Sequence, residues 1–205
     1  MQDERGLRRV LSLAPLYQAL QNALGVRRLY DRLVADHVAP PPGARILDIG
    51  CGPAAILAAL PDGVEYHGFD TSERYIAAAR KRWGDRGRFW CARVDEATLA
   101  DLPRVDRVLA VGVLHHLDDG EAKHLFALAR AALAPGGRVV TYDPCFTDGQ
   151  GRLSRALVSR DRGRNVRTPD AYVAIARTAF SRVDATVLDG HLRLPYTAVV
   201  LTSEA

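Results

Sequence analysis

The sequence predicts an α/β chain in which a mostly parallel β-sheet carries helices on both faces. Three observations carry that expectation. Short apolar runs alternate with helix-like patterns from Ala44 onward. A turn containing Gly50 and Gly52 joins the first run to the segment after it. The last two β-rich runs stand too close in sequence for a crossover, so they close the sheet as an antiparallel pair.

The elements follow in order. Leu16, Leu20 and Leu24 recur at helical spacing up to Gly25, and Val26, Leu29, Tyr30, Leu33 and His37 mark a second helix. Pro40-Pro41-Pro42-Gly43 ends it, because proline cannot donate the helical hydrogen bond. ARILDIG (44–50) reads as a buried strand, AAILAAL (54–60) as a helix stopped at Pro61-Asp62-Gly63, and VEYHGFD (64–70) as the second strand. Thr71 or Ser72 caps a helix running through Trp83. RFWCARV (88–94) and VDRVLAVG (105–112) are the third and fourth strands. The periodic EAKHLFALARAAL (121–133) is a helix closed by Pro135-Gly136-Gly137, and RVVTYD (138–143) is the fifth strand. A short helix at 152–160 lies among turn formers, and Thr168-Pro169 opens a helix to Phe180. RVDATVLD (182–189) and PYTAVVLTS (195–203) have only residues 190–194 between them, which makes them antiparallel.

Composition narrows the function classes. The 205 residues suit one domain with an elaboration, and 48% hydrophobic with 25% charged residues excludes disordered and fibrous chains. No apolar run reaches the roughly 18 residues of a membrane span. MQDERGLRRV lacks the apolar core of a secretory signal, so a cytoplasmic location is expected. Cys51, Cys91 and Cys145 are odd in number and widely spaced, against a disulfide framework or a zinc site; no metal is expected. The net charge is +4, but the basic residues are scattered, with only Lys81 and Lys123 as lysines, so a nucleic-acid partner is not implied.

The chemistry concentrates at the glycine turn. In Asp48-Ile49-Gly50-Cys51-Gly52-Pro53-Ala54 the glycines allow a tight turn and close approach of a ligand. Asp70 ends the second strand, where a carboxylate accepts hydrogen bonds from ribose hydroxyls in nucleotide-binding α/β folds. Two ligand classes fit: a dinucleotide, or an adenosine-containing cation. Asp48 would repel a pyrophosphate and suits an amino group or a sulfonium, which favours S-adenosylmethionine.

These residues carry a family resemblance. ILDIGCGPA (46–54), YHGFDTS (66–72), VDRVLAVGVLHHLDD (105–119) and LAPGGRVVTYDP (133–144) resemble, in order and spacing, motifs of the class I S-adenosylmethionine-dependent methyltransferases. The likeness runs from about Ala44 to Thr202. It implies a Rossmann-like, seven-stranded, mostly parallel sheet with an antiparallel last strand. It also implies a lid of N-terminal helices (1–43) over a cofactor domain (44–205), and S-adenosylhomocysteine as the product left after transfer. Asp48, Gly50, Cys51 and Gly52 would line the methionine and ribose, Asp70 would take the ribose hydroxyls and Thr71 would flank adenine. Val111 and Gly112 would pass beside the amino-acid end. Two departures stand out. Ala54 replaces the third glycine, a change expected to tighten packing only. Arg93 stands where the family often closes its third strand with an aspartate for the adenine amino group, leaving Asp95, Glu96 or a backbone amide near Val94 for that contact.

Methyl transfer to oxygen calls for a proton acceptor, and His115 and His116 lie just beyond the fourth strand, with Asp143 beyond the fifth. One histidine with Asp143 would form a base and its orienter; the alternative is a pair that only lines the pocket. Asp118 and Asp119 are assigned to helix capping. Tyr17, Gln18 and Tyr30 are candidates for acceptor contacts, with helix packing as their alternative. The insertion 145–167 is expected to cap the acceptor pocket, with Arg160, Arg162, Arg164 and Arg167 meeting an anionic group or solvent. Tyr196 and His191 are expected to be structural. The expected activity is O-methylation of a small natural-product, lipid-linked or sugar-like acceptor by a monomer or homodimer. An RNA or DNA base methyltransferase would need an Asn/Asp-Pro-Pro-aromatic run after the fourth strand, which VGVLHHLDD lacks. A cofactor-binding protein without turnover is the non-enzymatic alternative.

Overall fold

The computed structural model describes residues 25–160 and 163–204. Its seven strands are β1 (Arg45–Ile49), β2 (Glu65–Asp70), β3 (Arg88–Cys91), β4 (Val105–Val111), β5 (Leu133–Pro144), β6 (Arg182–Leu188) and β7 (Ala198–Glu204). They form one sheet in the order β3-β2-β1-β4-β5-β7-β6. The first five are parallel, and β7 runs antiparallel to both β5 and β6. The order reverses between β1 and β4, and in open α/β sheets ligands bind at the carboxyl ends of the strands at such a switch point.

Side-chain alternation divides the core between the two faces. Leu47, Val108, Ala110, Val139, Val199 and Leu201 join one apolar cluster, while their neighbours Ile46, Leu109, Val140 and Val200 join the other. The first face is covered by α4 (Asp119–Ala132) and α6 (Pro169–Ala176), through residues such as Phe126, Ala129, Tyr172 and Ile175. The second is covered by α1 (Val26–Leu33), the π-turn Val34–Val38 and α2 (Glu73–Trp83), through Leu29, Leu33, Val38, Ile76 and Ala79. The smaller α3 (Glu96–Ala100) and α5 (Arg152–Ser159) complete the described helices. Among the described residues no helix is long and apolar enough to cross a membrane.

Caps mark the helix starts as the sequence suggests. Ser72 accepts from the Tyr75 amide, Thr168 accepts from Ala171 ahead of Pro169, and Asp118 forms a reciprocal capping box with Glu121. Several boundaries differ from expectation; the last strand, for one, starts at Ala198 and not at residue 195. The segment 54–60 is only a 3₁₀ turn at Ala55–Ala58: Ala54 sits in the left-handed region at φ 53° and Pro61 follows too soon for an α-helix to grow. Ala54 therefore stands in a conformation that suits glycine, beyond the tighter packing expected of it. The third strand ends at Cys91, so Val94 is not part of it. Pro135-Gly136-Gly137 lies within β5, which starts at Leu133 and shifts register against β4 between Val105 and Arg107. The last helix stops at Ala176, with turns carrying the chain to Phe180.

Candidate functional site

The glycine loop leaves β1 at its carboxyl end. Gly50 takes φ 74° and its backbone lies so close to Val113 that an added Cβ would stand 2.6 Å from Cγ2. The Gly50 and Cys51 amides share the Phe69 carbonyl at 2.8 and 2.9 Å, which docks the loop on β2. Gly52 takes φ 54° and has open space around its missing side chain. Its amide donates to Asp70 Oδ2 at 2.9 Å, and the Ser72 amide donates to Asp70 Oδ1 at 2.7 Å. Asp70 thus ties the loop, the end of β2 and the start of α2 together, with a lone pair left over on each oxygen.

Asp48 is buried, with 2% exposure, and accepts a short hydrogen bond from the Tyr66 hydroxyl at Oδ2. Its Oδ1 is buried without a partner. Burial raises the carboxyl to about 7; the Tyr66 bond opposes this and the nearby Asp70 charge adds to it. Such an atom is costly unless a ligand satisfies it. Burial also pushes the Cys51 thiol far above its ordinary range, so Cys51 is no nucleophile here. Thr71 is exposed beside this corner, its carbonyl near Cys91 Sγ; Val111 ends β4 and Gly112 follows it, its amide donating to the Tyr142 carbonyl at 2.7 Å.

The predicted histidine–carboxylate couple is assembled. Asp143 Oδ1 lies 2.8 Å from His115 Nδ1 and accepts from the His115 amide at 3.2 Å. Both residues are buried, and desolvation raises the Asp143 carboxyl while the His115 bonds oppose the rise. His116 is exposed and packs its ring 4.0 Å from that of His115. Asp143 lies on the sheet face opposite Tyr142, so this couple and the Asp48–Tyr66 pair sit on opposite faces of the sheet.

Other candidates are placed differently. Arg93 lies past the end of β3, is 75% exposed and pairs with Glu121 at 3.6 Å. Asp95 caps α3, accepting from the Thr98 amide and hydroxyl at 2.7 Å each; those bonds hold its carboxyl below the usual range. Val94 packs, half-buried, against the first core cluster. Arg167 does not face an anionic acceptor: it is bound internally to Asp119 and to three backbone carbonyls. Arg160 and Arg164 are exposed, and Arg162 lies outside the described residues, as do Tyr17 and Gln18. Tyr30 is half-buried against the second core cluster. Sequence reasoning missed one residue, Tyr66, and did not foresee the partner of His191, which was expected to be structural. Tyr66 is the hydroxyl beneath Asp48, and its position on β2 opposite β1 was the available signal. His191 lies 2.7 Å from the Tyr142 hydroxyl, a pairing between residues 49 apart that no local pattern announces.

Residues 47–139 match the model of a family described as a methyltransferase domain. An uncharacterized 37.1 kDa protein in a transposon of Streptomyces fradiae is 33% identical over 127 residues, covering 57% of this chain and 35% of that protein. The S-adenosylmethionine-dependent methyltransferase SibL, solved in its apo form, superposes with a TM-score of 0.71 at 22% identity over 97% of this chain and 59% of its own. The 1,6-didemethyltoxoflavin-N1-methyltransferase of Burkholderia thailandensis, solved with that compound and S-adenosylhomocysteine bound, gives 0.66 at 24% identity over 95% of this chain and 84% of its own. This chain therefore spans about a third of that curated relative and less than two thirds of SibL. Among the described residues no cluster of histidine, cysteine and carboxylate side chains could hold a metal ion. Residues 47–139 thus resemble the methyltransferase-domain family, within a seven-stranded Rossmann-like sheet whose fold is similar to that of SibL.

Proposed function

We propose that this chain is an S-adenosylmethionine-dependent methyltransferase that acts on a small-molecule acceptor, with oxygen as the expected methyl-receiving atom. The observation that carries the reading is Asp48: a buried carboxylate with an unpartnered oxygen, beside the glycine loop. A pyrophosphate is repelled there, while a ligand with an ammonium and a sulfonium supplies the missing positive charge. Asp70 holds the ribose hydroxyls on the lone pairs that Gly52 and Ser72 leave over, and the bare backbone at Gly52 admits the ligand.

The cofactor, when bound, supplies an electrophilic methyl group; the protein contributes alignment and charge. His116, the exposed ring, takes the acceptor's hydroxyl proton as the oxygen turns its electron pair toward carbon. The buried His115–Asp143 couple fixes the turn that carries His116. The insertion 145–167 and α1 frame the acceptor side, with Tyr30 and Arg164 as contacts.

Incubating the protein with methyl-labelled S-adenosylmethionine and fractionated small-molecule extract tests the reading. Label moving into a low-molecular-weight product, together with S-adenosylhomocysteine, supports it. Label moving into RNA or DNA instead, or ligand binding with no transfer to any fraction, refutes small-molecule turnover.

A further inference from the structure

One side chain left over from the acceptor-binding expectation has a full set of partners, and they surround the histidine couple. Arg167 uses all five of its N–H donors. Nε and Nη2 reach Asp119 Oδ1 at 3.0 and 2.8 Å; Nη1 reaches the Leu114 and Asn165 carbonyls at 3.0 and 2.9 Å; Nη2 also reaches the Leu117 carbonyl at 2.8 Å. Its guanidinium lies 5.5 Å from the Tyr172 ring centre, and the side chain is 9% exposed. Leu114 and Leu117 bracket His115, so the cation grips the turn on both sides of that residue.

The chain leading to Arg167 lies on His115 itself. The Asn165 amide donates to the His115 carbonyl at 3.0 Å. At Gly163 an added Cβ would overlap His115 Cδ2 and stand 2.5 Å from its carbonyl oxygen, so only a residue without a side chain fits. Beyond Arg167, its carbonyl accepts from the Phe146 amide at 3.1 Å, and Cys145, two residues after Asp143, bridges to Arg167. Residues 163–167 therefore form a strap laid across the imidazole and fastened at Arg167, next to both members of the couple. Lysine could not reproduce this, having no planar fork for three carbonyls and a carboxylate at once.

We propose that Arg167 and Gly163 are positioning residues of the methyl-transfer site. Arg167 clamps the strap to the 114–119 turn, and the strap holds the His115 ring on Asp143. This rests on the methyltransferase reading above, yet it concerns only the chain's own geometry.

The test uses the full chain and diethyl pyrocarbonate, which carbethoxylates accessible imidazoles, read residue by residue by mass spectrometry. Arg167→Gln, Asp119→Asn and Gly163→Ala are compared with wild type, alongside the ¹⁵N shifts of the His115 ring. In the wild type His115 reacts at least roughly tenfold more slowly than the exposed His124, and each variant raises its rate by roughly tenfold or more as the local opening becomes easier. The Nδ1 resonance loses its hydrogen-bonded signature in the same variants, and Arg167→Lys does not restore it. S-adenosylhomocysteine affinity, measured in parallel, stays near wild type; its absence in every protein, wild type included, overturns the methyltransferase reading and not the clamp. If Arg167→Gln fails to fold, Asp119→Asn and Gly163→Ala decide. His115 as protected in those folded variants as in wild type, or as reactive as His124 in wild type, overturns the proposal.

Discussion

Asp48→Asn is expected to make the ligand-free protein more stable while weakening its hold on the cofactor. The wild-type carboxyl moves from 3.8 to about 7 on folding because it is buried. At about 1.36 kcal/mol per unit this amounts to about 4 kcal/mol. The folded chain keeps a proton that the unfolded chain has released between about pH 4 and pH 7. Stability is therefore lost as pH rises through that window, and the full cost is present above it. Asparagine stays neutral and still offers an oxygen to the Tyr66 hydroxyl, so it removes the cost and keeps the bond. Urea unfolding of both ligand-free proteins at pH 5 and pH 8 should show the variant's advantage growing by roughly 2–3 kcal/mol between the two. An advantage that does not change with pH, or a wild type more stable at pH 8, would refute the reasoning.

Three further outcomes follow from the same geometry. A cation at Asp48 Oδ1 lowers the carboxyl again, so binding S-adenosylmethionine at pH 7 should release up to about half a proton, seen by calorimetry in buffers of different ionisation enthalpy. Asp70→Ala should weaken S-adenosylhomocysteine binding by about 1–3 kcal/mol, because ribose hydroxyls and the Gly52 and Ser72 amides all lose their acceptor; unchanged affinity in a titration would move the ribose elsewhere. Asp143→Ala should cost about 2–3 kcal/mol in urea unfolding by leaving the buried His115 amide and ring unpaired, and a change within 0.5 kcal/mol would mean that the couple is solvated.

The parallel core was legible because its strands are continuous apolar runs bounded by glycine and proline, a signal that burial on both faces imposes. The antiparallel closure was legible from chain length alone, since residues 190–194 cannot hold a crossover. The segment 54–60 misled because alanine and leucine favour a helix by propensity, whereas the loop geometry at Ala54 and the stop at Pro61 leave room for only one 3₁₀ turn. At the site, Asp48, Gly50, Gly52 and Asp70 announce themselves through local spacing. Arg167 did not: a row of arginines in an insertion looks the same whether it faces solvent, a ligand or three carbonyls of a distant turn. Tyr66, Gly163 and His191 likewise owe their places to contacts across the sheet or between segments, which one-dimensional patterns do not encode.

Calorimetric titration of the protein with S-adenosylmethionine and, separately, with NAD tests the central claim most directly. Saturable binding of S-adenosylmethionine, abolished or strongly weakened in Asp48→Asn, with no heat from NAD, is the predicted result. Binding of NAD in place of S-adenosylmethionine would contradict the assignment of Asp48 as the partner of a cationic cofactor.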